Sequence, residues 1–153
     1  MRKLKATPHP DRPLDQNVLT PSELQTLNTN TDADWRAAIM VLAYGGLRLG
    51  ELLGLQWDGV EFGRNRILVR RQLEAITGEL RKPKTAAGIR FVELPSFVVH
   101  ELKTWRLRCP KGEHRLCFPD STGRPMDDRN FRARVFYPAL RRAKFRRIRV
   151  HDL

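Results

Sequence analysis

The segment Gly46-Leu47-Arg48-Leu49-Gly50-Glu51-Leu52 holds residues whose types and spacing could do chemistry. On a helix, residues three apart face each other, so Arg48 and Glu51 would pair while the leucines anchor the opposite side. An arginine steadied by a carboxylate presents a rigid fork of N–H donors that matches a phosphate. The glycines let a neighbouring backbone come close. On spacing alone an ordinary solvated ion pair is the simpler reading, because such pairs are common on helix surfaces and worth little. A second constellation is Cys109, His114 and Cys117. It lacks a fourth ligand at metal-site spacing, so no metal is expected. Two small buried thiols in a reducing cytoplasm are the plainer expectation.

The elements that would carry these residues can be read from capping signals and periodicity. Thr20-Pro21-Ser22-Glu23 announces a helix, with Thr20 as cap, Pro21 at the first helical position and Glu23 closing a capping box. It runs to about Leu27. A second helix is predicted from Ala33 to Tyr44, with Trp35, Ile39 and Leu42 at helical spacing, and Gly45-Gly46 should end it. A short helix then restarts near Arg48 and runs to Gly54. Arg66–Arg70, Glu79–Lys82 and Ile89–Leu94 read as three strands forming a small antiparallel sheet, with a turn near Thr77-Gly78. Helices return at Pro95, with Val98, Leu102, Trp105 and Cys109 on one face. Asp127 can cap a helix bearing Phe131, Val135 and Phe136, which Pro138 should kink or restart. The fold class expected is therefore α+β, mainly helical with a three-stranded antiparallel sheet.

Charge bounds the partners. The chain has 153 residues, with 29 Lys and Arg against 17 Asp and Glu, a net charge of +12. That excess points to a polyanion, most simply nucleic acid. Between Arg129 and His151 there is no acidic residue, and Arg141–Arg149 has six basic residues in nine. No run of 18 apolar residues exists, so no membrane span is expected, and the basic start lacks the apolar core of a secretory signal. Residues 1–18, with Pro8, Pro10 and Pro13, read as a linker or arm ahead of a domain over 19–153. The chain ends as a helix begins, which reads as a domain cut short at its C-terminal end.

The stretch from Gly46 to Leu52, followed by Gly54-Leu55-Gln56-Trp57-Asp58, resembles the first-arginine motif of the tyrosine recombinases, the phage integrase family. Leu19-Thr20-Pro21-Ser22-Glu23-Leu24 is similar to the opening of that family's catalytic domain. Lys82-Pro83-Lys84-Thr85 and Arg90-Phe91-Val92-Glu93-Leu94-Pro95 resemble its β-hairpin lysine segment. Asn130-Phe131-Arg132 and Phe136-Tyr137-Pro138-Ala139-Leu140 resemble the helix before its second catalytic cluster. His151-Asp152-Leu153 looks like the start of its His-x-x-Arg box.

This resemblance implies a chemistry. In the family a tyrosine attacks a DNA phosphate, forming a 3′-phosphotyrosine and releasing a 5′-hydroxyl, without metal or cofactor. Arg48 would meet charge developing on the phosphoryl oxygens, with Glu51 in support. Lys84, or its neighbour Lys82, would protonate the leaving oxygen, and His151 would assist proton transfer. Plain phosphate attraction is the alternative for either lysine. Lys82, Arg90 and Arg132 would contact DNA. The implied partners are double-stranded DNA and further copies of the protein. The second arginine and the nucleophile have no match here, since Tyr44 and Tyr137 fit neither place. The chain alone is expected to bind DNA and not to cut it. The alternative is a non-catalytic DNA-binding module derived from an integrase.

Overall fold

The computed structural model describes residues 18–153. The arm read over residues 1–18 therefore lies outside the described residues except for Val18. Helix α1 spans Pro21–Thr29 and carries the expected capping box. The Thr20 hydroxyl accepts from the Glu23 N–H at 3.3 Å, and the Glu23 carboxylate accepts from the Thr20 N–H at 2.8 Å. Helix α2, Arg36–Gly45, follows a single 3₁₀ turn at Ala33–Trp35. It ends where Gly46 takes a left-handed conformation, φ 61°, that costs glycine nothing. Helix α3 is the short segment Leu49–Leu53, with Arg48 as its N-cap.

The sheet departs from the sequence reading. Strands β1 (Val60–Glu61), β2 (Arg66–Val69) and β5 (Arg90–Glu93) form the three-stranded antiparallel sheet in the order β1-β2-β5. Strand β4, Leu80–Arg81, is the piece expected over Glu79–Lys82, but it pairs with β3 (Gln72–Leu73) in a separate hairpin. Close packing explains the exchange. A Cβ at Gly54 would stand 2.8 Å from the Gln72 Cα, and one at Gly50 would stand 2.9 Å from the Leu73 carbonyl oxygen. These glycines draw the β3 backbone onto α3 and away from the edge of β2, and β4 follows β3. The vacated edge is filled by β1, two residues long and too short to show a strand period.

Helix α4 runs Ser96–Arg106 and stops before Cys109, which the periodicity had placed on it. A short α5, Asp128–Asn130, is capped by the Asp127 carboxylate, as expected. A π-helical stretch, Phe131–Phe136, then leads into α6, Tyr137–Arg142. Pro138 sits in the first turn of α6. Its ring would collide with the carbonyl four residues back in a regular α-helix, and the wider π turn precedes it.

The core is one cluster drawn from nearly every element. Leu27, Ile39, Leu42, Leu52, Leu53, Ile67, Leu102, Phe118, Phe131 and Phe136 are all below 2% exposed or at that limit. Trp35, expected on one helical face with Ile39 and Leu42, is only half-buried and meets Phe131 edge-on. The basic tail is also part of this core: Ile148 and Val150 are buried between its arginines.

Candidate functional site

Arg48 and Glu51 do not pair through their side chains. The Glu51 carboxylate accepts the Arg48 backbone N–H at 2.9 Å, closing the first turn of α3. Its side chain then meets Arg90 of β5, whose Nη1 and Nη2 donate to Oε1 and Oε2 at 3.0 and 3.1 Å. The cause lies in the helix itself. Leu49, Leu52 and Leu53 are buried, which carries Glu51 inward until its side chain is 7% exposed. A carboxylate so placed needs charged partners. Burial pushes its pKa up, but the hydrogen bonds from Arg90 and the Arg48 N–H, with both positive charges, outweigh that and hold it below the usual range.

The Arg48 guanidinium is left over. It is exposed and makes no hydrogen bond or ion pair among the described residues. Helix α3 that carries it packs against β3, and through the β3–β4 hairpin the chain reaches Lys82 and Lys84. Both lysines are exposed and without ion-pair partners among the described residues. The loop holding Lys84 closes on itself through a 3₁₀ turn at Ala86–Gly88, where a Cβ on Gly88 would stand 2.3 Å from Pro83. Arg90 also donates to the Gly88 carbonyl at 3.4 Å. Arg48, Glu51, Arg90 and the lysine loop therefore form one connected unit.

The remaining expected residues stand apart from these bonds. Arg132 lies in the π-helical stretch and pairs with Asp128, four residues back. His151 is exposed in a terminal 3₁₀ turn, Val150–Asp152. That turn repeats the α3 device: Asp152 accepts the Arg149 N–H at 2.9 Å and pairs with the Arg149 guanidinium. No hydrogen bond among the described residues joins His151 to Arg48 or Lys84. Several tail arginines are already engaged, Arg146 with Glu23 and Arg142 with Asp32. Cys117 is buried and Cys109 half-buried. Desolvation pushes the Cys117 thiol well up, and it pushes Cys109 up less. No group of three or more metal-ligating side chains gathers among the described residues.

Residues 17–153 match the phage integrase family. The chain belongs to that family. Among the chain's relatives is the Tyrosine recombinase XerC-like protein of Caldanaerobacter subterraneus subsp. tengcongensis, 37% identical over 83 residues, 46% of this chain and 21% of that one. Tyrosine recombinase XerC of Xylella fastidiosa is 26% identical over 118 residues, covering 77% of this chain and 36% of the relative. The crystal structure of XerA recombinase superposes with a TM-score of 0.71 at 20% identity, over 99% of this chain and 49% of that one. The Tn1549 transposon integrase in complex with circular intermediate DNA gives 0.70 at 24% identity, over 83% and 46%. These likenesses show the fold: mainly helical with a small antiparallel sheet. The chain spans about a fifth to a third of these curated relatives and about half of the solved chains.

The sequence singled out Arg48 and the lysine segment as candidates and gave Arg90 to DNA, without sign of its partner Glu51. The two residues are 39 apart, so no local period links them. The usable signal was Glu51 itself: an acid among leucines on a short apolar helix must be drawn inward and must find a cation.

Proposed function

We propose that this chain is the catalytic-domain portion of a tyrosine recombinase that cuts and rejoins duplex DNA through a 3′-phosphotyrosine intermediate. The observation that carries the reading is the Arg48 guanidinium, without a partner among the described residues and set on a cap where the Glu51 carboxylate is already committed to Arg90 and to the backbone. An arginine positioned this way has its full donor fork available to the non-bridging oxygens of a phosphate. Lys84 acts as the acid for the leaving 5′-oxygen, with Lys82 beside it as a phosphate contact. His151 joins the site from the terminal turn, and Arg132 contacts the DNA backbone. The DNA held by the solved transposon integrase relative supports the choice of ligand.

Tyr44 is partly exposed and meets Phe97 edge-on, and Tyr137 lies beneath the Arg147 guanidinium. Neither matches the nucleophile's place, and no residue here matches the second arginine. These 153 residues by themselves bind DNA and leave it intact. The full activity, carried out in the cytoplasm, uses further copies of the protein on DNA.

The test is a salt titration of duplex binding. Each phosphate neutralised adds about 0.9 to the magnitude of the slope of log K against log salt. The chain should bind with a steep slope, and Arg48→Ala should lower it by about one phosphate's share. Affinity independent of salt would overturn the reading.

A further inference from the structure

Arg90 stands where the hairpin segment was expected to touch DNA, and its side chain is 37% exposed, yet both terminal nitrogens are turned to Glu51. Its two terminal nitrogens hold both oxygens of Glu51, and one of them also reaches the Gly88 carbonyl. Glu51 Oε2 takes the Arg48 N–H as well, so a single oxygen joins the cap of α3 to the guanidinium of β5. Gly88 closes the turn that follows Lys84. Arg90 is therefore bonded to the residue that sets the backbone of Arg48 and, through the Nη1 that also holds Glu51 Oε1, to the loop that bears Lys84. The register of the sheet fixes where it starts: Arg90 pairs with Val69, the last residue of β2 before the chain crosses to β3, which packs on α3.

We propose that Arg90 is a positioning residue, which through Glu51 and Gly88 holds the Arg48 cap and the lysine loop in one fixed relation, and that it does not contact a DNA phosphate. The role needs an arginine. A bidentate grip on one carboxylate plus a third bond to a carbonyl requires a planar fork, whereas a lysine offers a single charged point. Glu51, at 7% side-chain exposure, leaves little room for solvent to substitute for that grip. The inference rests on the assignment of Arg48 to phosphate only for its functional consequence.

Two measurements on the chain test it. In the first, the unaltered chain, Arg48→Ala, Arg90→Gln and the double variant are titrated with duplex DNA across salt concentrations. Arg90→Gln should weaken binding when Arg48 is present, and in the Arg48→Ala background should leave the slope unchanged. A further loss of about 0.9 in slope in that background would make Arg90 a phosphate contact and overturn the proposal. In the second, amide exchange is followed without DNA. The Arg48 N–H should exchange about tenfold faster in Arg90→Gln, the scale of one lost hydrogen bond. Arg90→Lys, which keeps the charge and is the variant to use should Arg90→Gln not fold, should give an intermediate rate. Full protection in Arg90→Lys, or no change in Arg90→Gln, would overturn the claim that the fork positions the cap. Exchange behaving as expected in a chain that shows no salt-dependent DNA binding would sink the phosphate reading of Arg48 and leave the Arg90 coupling standing.

Discussion

The roles proposed for Arg48 and Lys84 fall on different oxygens of a DNA phosphate, and chemistry can separate them. Arg48 is assigned to the non-bridging oxygens and Lys84 to the bridging 5′-oxygen. In a recombinase that joins these residues to a second arginine and a tyrosine, Arg48→Ala should slow cleavage by about 10²–10³, the scale for one preorganised donor. Lys84→Ala should be rescued by a substrate with sulfur at the 5′-bridging position, because a thiolate leaves without an acid. Arg48→Ala should gain no comparable rescue. Equal rescue of both variants, measured as single-turnover cleavage rates, would refute the division of roles. At this scale the sequence was misleading about the partner of Glu51. Spacing of three put Glu51 beside the Arg48 side chain, whereas the carboxylate turned to the Arg48 N–H and to Arg90. Helical spacing reports which residues share a face, and it is silent about a strand 39 residues away.

Between elements, the contact that matters most is α3 against β3. Gly54 caps α3 at φ −92°, a conformation open to any residue, so an alanine there would ordinarily be neutral or stabilising by about 0.4–1 kcal/mol. Sterics reverse the sign. Its Cβ would meet Gln72 Cα at 2.8 Å and Leu73 N at 3.0 Å, backbone atoms that cannot swing aside. Gly54→Ala should destabilise the chain by about 1–3 kcal/mol, as overpacking does. Gly63→Ala, with nothing within 4 Å of its Cβ, is the control and should be neutral or slightly stabilising. Denaturant melts of the two variants check this, and equal stability would show that the hairpin does not lean on α3. The helices were legible because caps and periodicity are local: Thr20, Gly46 and Asp127 all act as read. The strand pairing was not, because it is decided by which backbone a glycine admits, and β1 is too short to have a pattern.

Taken whole, the molecule is a strongly basic chain whose scarce carboxylates are used as anchors. Hydrogen bonding to Thr20 N–H, then to Arg146, holds Glu23 below its usual range, and the Arg149 guanidinium does the same for Asp152. Glu51 is also lowered, despite burial acting the other way. A carboxyl whose folded pKa is depressed contributes stability that is present above the unfolded value, about 4, and lost as pH falls through the folded value. Melting temperature should therefore change little on this account between pH 7 and about 5, then fall steeply below about 4. A melt unchanged down to pH 2 would show that these anchors contribute nothing to the fold. The net charge was plain in the sequence, but its division was not. Arg142, Arg146 and Arg149 of the basic tail look like a DNA-binding run, and in the fold they are paired with Asp32, Glu23 and Asp152.

The π-helical stretch at Phe131–Phe136 carries a consequence for length changes. A wide turn of this kind holds one residue more than an α-helix needs to cover the same rise. Removing a residue from an ordinary buried helix rotates everything beyond it by about 100°, since a turn takes about 3.6 residues. Here the surplus can absorb the loss. Deleting the exposed Ala133 should let the segment tighten to α geometry while Phe131 and Phe136 stay in the core. Deleting Lys103 from α4, also exposed but in a regular helix, has no such slack and should abolish cooperative unfolding. Calorimetric melts of the two deletions compare them directly. Among the described helices, this stretch is the one where loss of a codon in frame should leave the fold intact.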